Sequence, residues 1–346
     1  GHRVHHGGQH PHVVGGGAIH AGRCPCHATK DVPAANHNPH FDTDLGDVDH
    51  ITDDPGDDIP VDAVGVGAAC GDVAAAADDT AAKYGIKSYG NDCDGMIKDP
   101  EVEAVVITSI DPTHHDYVMK TLAEEKWCFC EKPLSQNAAD CEDIIKREQE
   151  IGKRLVQVGF MRHYDRGYAE MKRIIDSGEL GAPLMIHACH RNVSQPDGFQ
   201  TEMGVSNVAI HELDICRWLL GDEYKSGQVL KVRQSACSTK GYDNPQIVLL
   251  ETQSGARIDV EVQVADAYGY DIQCQVVCEK GTVNLPDPYA VVKRSNATRS
   301  FPILTDWKDR FVDSYDVELN DFIKAAARGT AAGPSSWDGY VAAITS

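Results

Sequence analysis

Three polar side chains in the stretch Asn207-Val208-Ala209-Ile210-His211-Glu212-Leu213-Asp214 have the types and spacing that proton chemistry needs. Asp214 follows His211 by three residues and Asn207 precedes it by four, so on a regular helix all three share one face. Histidine changes charge near neutral pH, which makes His211 a candidate general base. Lys132, in Glu131-Lys132-Pro133, places an ammonium after the short apolar run Trp127-Cys128-Phe129-Cys130. Taken alone, each has a plainer reading. Lys132 fits a surface lysine, His211 a helix histidine, and Tyr268 and Tyr270, two apart, one face of a strand.

The N-terminal region carries chemistry of a different type. Val13-Val14-Gly15-Gly16-Gly17-Ala18-Ile19-His20 supplies Gly15 and Gly17, the first two glycines of a G-x-G-x-x-G turn whose backbone N–H groups meet a pyrophosphate. His20 stands where the third glycine belongs, and the following Arg23-Cys24-Pro25-Cys26 breaks the helix such a turn needs. The competing stretch Asp44-Leu45-Gly46-Asp47-Val48-Asp49 puts carboxylates where phosphates would sit. After the apolar run Val61 to Val66, Asp72 is a candidate for holding ribose hydroxyls. His20 with Cys24-Pro25-Cys26-His27 lacks the two separated ligand pairs of a structural zinc site, so no metal is expected.

The elements that position these residues fall into two groups. Short apolar runs at 103–108, 127–130 and 155–160 alternate with helical stretches from His114 to Glu125 and from a Ser135 N-cap to Ile151; a further helix runs from Ala74 to Tyr84. Strand and helix in alternation imply right-handed crossovers and a parallel, Rossmann-like sheet. Beyond Gly159 come a helix from Tyr164 to Ser177, a strand from Leu184 to His190 and a helix from Asn207 to Leu220. Alternating runs follow at 228–237, 246–252, 257–264, 270–278 and 282–285, then helices from Trp307 to Arg328 and around Trp337 to Ile344. This predicts an α/β chain in two domains: a dinucleotide-binding domain over 1–158 and a substrate-binding α+β domain with an open, mostly antiparallel sheet over 159–346.

Composition narrows the function classes. The 346 residues suit about two domains. Net charge of −21 disfavours a nucleic-acid grip or attraction to an anionic membrane, and no run of about 18 apolar residues predicts a membrane span. The twelve cysteines mostly sit singly in apolar runs, and no charged-then-apolar segment opens the chain, which points to a reduced, cytoplasmic protein. The mixture is uneven. Residues 1–79 hold three basic residues against thirteen Asp, or −10 of the −21; the first hundred residues contain one Leu and no Glu. That stretch is atypical enough to be read as poorly determined or frame-shifted, which resequencing the gene tests directly.

From about Thr80 onward the chain resembles the glucose-fructose oxidoreductase and inositol dehydrogenase family, with bacterial inositol 2-dehydrogenases its nearest branch. The motifs are Cys130-Glu131-Lys132-Pro133-Leu134, Gln157-Val158-Gly159-Phe160-Met161-Arg162, Ala188-Cys189-His190-Arg191-Asn192, Ile210-His211-Glu212-Leu213-Asp214, Tyr268-Gly269-Tyr270-Asp271 and Ser336-Trp337-Asp338-Gly339-Tyr340. The resemblance implies NAD-dependent oxidation of a ring hydroxyl, myo-inositol to 2-keto-inositol, by hydride transfer. It places the catalytic lysine and histidine on Lys132 and His211, and the histidine's aspartate partner on Asn207. Polyol contacts fall on Met161, Arg162, His190, Asn192, Asp214, Tyr268 and Tyr270. Cofactor contacts fall on Thr108, Ser109, His114, Glu131 and Lys132, and join Gly15, Gly17 and Asp72 from the reading of the N-terminal residues. The implied partners are a cyclic polyol or sugar and further copies of the chain in a homotetramer. Asn207 brings no charge, so a slowed enzyme is expected by analogy with a triad whose aspartate becomes asparagine. A dehydrogenase of a related sugar or chiro-inositol is a second reading; a polyol-binding protein that has lost its cofactor is a third.

Overall fold

A computed structural model of the chain describes residues 30–31, 68–69, 71, 74–195, 198–236, 238, 242–288 and 291–346. Gly15, Gly17, the His20–His27 cluster, Asp44 to Asp49, the run at 61–66 and Asp72 lie outside those residues. The described chain begins with the two-residue strands β1 (Lys30–Asp31) and β2 (Ala68–Ala69), then α1 (Ala74–Tyr84), β3 (Lys87–Ser88) and α2 (Cys93–Lys98). β2 and β3 pair in parallel.

β4 (Ala104–Ile107), β5 (Trp127–Glu131) and β6 (Val156–Gly159) form a parallel sheet in that order. Cys128, Phe129 and Cys130 are all buried, as a parallel strand covered on both faces requires. The covering helices are α3 (His114–Ala123), which inserts Val118 and Leu122 one turn apart, and α4 (Ala138–Ile151), which inserts Cys141 and Ile144. Asn137, rather than Ser135, caps α4: its side chain accepts from the Asp140 amide at 3.1 Å, while the Ser135 hydroxyl donates to the Asp140 carboxylate at 2.8 Å. Both residue types make good caps, and the one three residues before the free amide takes the bond.

A short 3-10 turn, Met161–Tyr164, leads from β6 into α5 (Arg166–Asp176), where Asp165 accepts from the Gly167 and Tyr168 amides. The next elements are β7 (Pro183–Arg191), α6 (Ile210–Leu220), β8 (Tyr224–Lys231), β9 (Gln246–Thr252), β10 (Arg257–Gln263), β11 (Asp271–Cys278) and β12 (Gly281–Asn284). They build a seven-stranded sheet in the order β1-β8-β9-β10-β7-β11-β12, antiparallel except where β10 runs parallel to β7. Strands β9 to β11 alternate in burial: Val248, Leu250, Ile258, Val260 and Val276 pack with α5 and α6. The opposite face carries Met185, His187, Leu249 and Asp259, paired across adjacent strands. β8 starts four residues earlier than its sequence pattern suggests, because buried Tyr224 anchors it by donating its hydroxyl to the Leu213 carbonyl at 2.6 Å.

After the hairpin β13 (Lys293–Ser295) and β14 (Thr298–Ser300), α7 (Trp307–Ala327) packs against the Met161–Tyr164 turn. α8 (Ser336–Thr345), opened by a Ser335/Asp338 capping box, returns to α4 and β6. Its Ala342 joins the core of the parallel sheet and Val341 that of the large sheet. Among the described residues seven buried cysteines are free thiols, while Cys93 is disulfide-bonded. Among the described residues no helix is long and apolar enough to cross a membrane.

Candidate active site

The end of β5 meets the turn that leads into α6. Lys132, just past β5, donates from Nζ to the main-chain oxygen of Asn207 at 3.0 Å. Burial lowers its affinity for a proton, and the charges of Glu131 and Asp111 work against that. Asn207 lies in a π-helical turn, Gly204–Ala209, that precedes α6, so the regular helix expected from Asn207 to Leu220 begins only at Ile210. His211 Nδ1 and the Asn207 side chain are not bonded to each other. The Asn207 side-chain amide donates to Asp111 Oδ2 at 3.0 Å instead.

His211 is buried, and its Nδ1 has no hydrogen-bond partner. Burial, then the charges of Lys132, Arg162 and His190, hold its pKa well below the ordinary 6.5. The ring is therefore neutral at pH 7, with a nitrogen lone pair available. The His190 ring centroid lies 6.2 Å away. His190 Nδ1 is 2.9 Å from Glu212 Oε2 and 3.2 Å from Arg162 Nη2, and Arg162 also donates to Glu212. All three are buried. Burial pushes the Glu212 carboxyl up, but Arg162 and His190 outweigh it and keep the group ionised. Glu212 is the member sequence reasoning missed, although it stands between His211 and Asp214 in the quoted motif.

The other expected polyol contacts are distributed unequally. Met161 and Tyr270 pack with Phe311 in a small apolar cluster, Tyr270 edge-on to His190 at 6.0 Å. Asn192 has a buried side-chain oxygen without a partner, a free acceptor of the type a hydroxyl would satisfy. Asp214 is buried and engaged, 2.7 Å from His163 Nε2. Tyr268 is half exposed, accepting from Arg191 at 2.9 Å and donating to Asp271. His163, which holds Asp214, carried no signal beyond its place beside a motif, whereas Arg191, which holds Tyr268, stands inside one.

Thr108 and Ser109 line a cavity of about 420 Å³ with Val106, Ile110, Tyr117 and Gly71, at the carboxyl end of β4. Ligands of open α/β sheets bind at the carboxyl ends of parallel strands, and sites of a few hundred Å³ suit them. Val106 and Ile110 contribute apolar side chains to the wall of this cavity. His114 and Glu131 sit behind this wall rather than in it. The His114 ring nitrogens lie 2.7 Å from the Pro133 carbonyl and 3.0 Å from that of Ser109. Glu131 accepts from the Lys132 amide at 3.2 Å.

A family model described as the oxidoreductase family, NAD-binding Rossmann fold, matches residues 47–160, and the GFO/IDH/MocA C-terminal domain matches 168–284. The inositol 2-dehydrogenase of Acidiphilium cryptum is 56% identical over 245 residues, 71% of this chain and 73% of the relative. The chain belongs to the GFO/IDH/MocA oxidoreductase family. The family's inositol 2-dehydrogenase from Agrobacterium fabrum is 55% identical over 72% of this chain and 74% of its own. A solved family member, myo-inositol dehydrogenase from Lactobacillus casei in complex with NAD(H) and myo-inositol, superposes with a TM-score of 0.75 at 37% identity, covering 78% of this chain and 81% of the other. The family match begins at residue 47, so 47–79 read with the family despite their composition.

Proposed function

We propose that the chain is an NAD-dependent inositol 2-dehydrogenase, oxidising the 2-hydroxyl of myo-inositol to the ketone. The observation that carries this reading is the convergence of Lys132 and His211 beside the Arg162–Glu212–His190 network, in a family whose first domain binds NAD. The division into a cofactor unit over 1–158 and a substrate unit over 159–346 belongs to the same reading.

NAD, when bound, accepts the hydride. The protein must take the hydroxyl proton as the C–H bond breaks, and neutral His211 is the group suited to it. Lys132 beside the same oxygen stabilises the negative charge that develops there. Thr108 and Ser109 would hold the cofactor at the end of β4, with Val106 and Ile110 as its apolar wall. Arg162, held rigidly by Glu212, and His190 and Asn192 offer hydrogen-bonding groups to a ring that carries a hydroxyl on every carbon. Such a site rejects a substrate lacking one hydroxyl, because buried polar groups are then left unpaired.

Titration of the full chain with NADH, followed by cofactor fluorescence, tests the reading against a polyol-binding protein without a cofactor. Saturable binding is expected. Absence of binding at about millimolar cofactor, an affinity near −4 kcal/mol, would favour the cofactor-free alternative.

A further inference from the structure

The position expected to carry a charge next to His211 is Asn207, and the charge is found elsewhere. Asn207 Nδ2 donates to Asp111 Oδ2 at 3.0 Å, and Lys132 Nζ donates to the main-chain oxygen of the same Asn207 at 3.0 Å. Asp111 comes from the turn after β4, on the opposite side of the interdomain seam from α6. An amide donating to a carboxylate makes a charge-assisted bond, which is short, directional and stronger than one between neutral groups. An aspartate at 207 would instead bring a second carboxylate within hydrogen-bond reach of Asp111, and two such groups cannot both ionise cheaply.

We propose that Asp111 is a positioning residue for the oxidation, supplying from the β4 turn the negative charge that position 207 lacks, so that Asn207 is fixed and the Lys132 ammonium is held in place. The other titratable groups facing Lys132 are Glu131 at the end of β5, Arg162 from the 3-10 turn, and Glu212 with the neutral His211 from α6. Of these, Asp111 is the one bonded to Asn207. This inference rests on the inositol dehydrogenase reading, and it replaces the expectation that Asn207 by itself makes a slow enzyme. Asparagine at 207 is the residue that Asp111 requires.

The test is a charge swap in the full chain: Asp111→Asn, Asn207→Asp and the double variant, which is close to isosteric throughout. Asp111→Asn is expected to lower kcat by about tenfold or more, with KM for myo-inositol changed far less, as for loss of one electrostatic contact to the reacting centre. Asn207→Asp alone should lower kcat as well, and the double variant should regain most of the loss. A readout without turnover is the labelling of Lys132 by acetic anhydride as a function of pH, followed by mass spectrometry. Its midpoint should fall by about one unit in Asp111→Asn, a tenfold loss of proton affinity, and return in the double variant. An increase in kcat from Asn207→Asp alone would overturn the proposal, as would identical Lys132 labelling curves in the parent and Asp111→Asn. If the parent oxidises no inositol the functional reading fails, and the Lys132 midpoint still decides the role of Asp111.

Discussion

Burial acts on Lys132 and His211 in the same direction, lowering the proton affinity of both, yet it leaves them suited to different tasks. His211 starts from 6.5 and is held in the neutral form, the form a general base must have. Lys132 starts from 10.5 and is opposed by Glu131 and Asp111. Replacement of His211 by Asn should lower kcat for inositol oxidation about 10²- to 10⁴-fold, the usual contribution of a general base, while the NADH dissociation constant stays within error. The Lys132 shift gives a signed pH effect: the ammonium is lost above its lowered pKa, so kcat should fall on the alkaline side at a pH below 10.5. A kcat profile that stays level to that pH would contradict the assignment. At this scale the sequence motifs carried a good deal, since Lys132, His211, Arg162 and His190 do come together. Spacing alone puts Asn207 within reach of His211 but says nothing of Asp111, the group its side chain bonds. Asp111 was invisible because its partner lies 96 residues away.

At the scale of elements, α7 holds the Met161–Tyr164 turn that presents Arg162, and it does so with an anomalous residue. Glu318 is fully buried and neither carboxylate oxygen has a partner. Burial raises its pKa well above 4.5, and Glu131, Asp214 and Asp321 raise it further. The folded state therefore binds this proton at pH values where the unfolded state has released it, so stability falls as pH rises from 4.5 toward the raised value. Glu318→Gln removes that loss. Its Tm should exceed the parent's by about 2–4 °C per kcal/mol at pH 8, with a smaller gain at pH 6. A lower Tm at pH 8, read by differential scanning calorimetry, would mean that Glu318 has an ionised role. Element boundaries were legible where burial is periodic, as in β9 and β10, which begin where the alternation does. They were less legible where a single anchor decides, as Tyr224 does for β8 and Asn137 for α4.

Across the whole molecule, the outward face of the seven-stranded sheet leaves Met185 and Leu249 more than a third accessible beside the His187–Asp259 pair. An apolar sheet face of this type is suited to contact with another copy. We expect a homotetramer by light scattering, and Met185→Glu together with Leu249→Glu should lower the measured mass while Tm falls only modestly. A monomeric parent would contradict this. Charge reads differently once the chain is divided: 10 of the 21 excess negative charges belong to residues 1–79, and the remainder has a balance ordinary for a globular enzyme. The acidity therefore carries little information about substrate. The most direct measurement of the proposed reaction is the initial rate of NADH formation by the purified chain from NAD and myo-inositol. A rate that saturates with both and disappears in His211→Asn is the predicted result; bound NADH with no turnover of myo-inositol would contradict it.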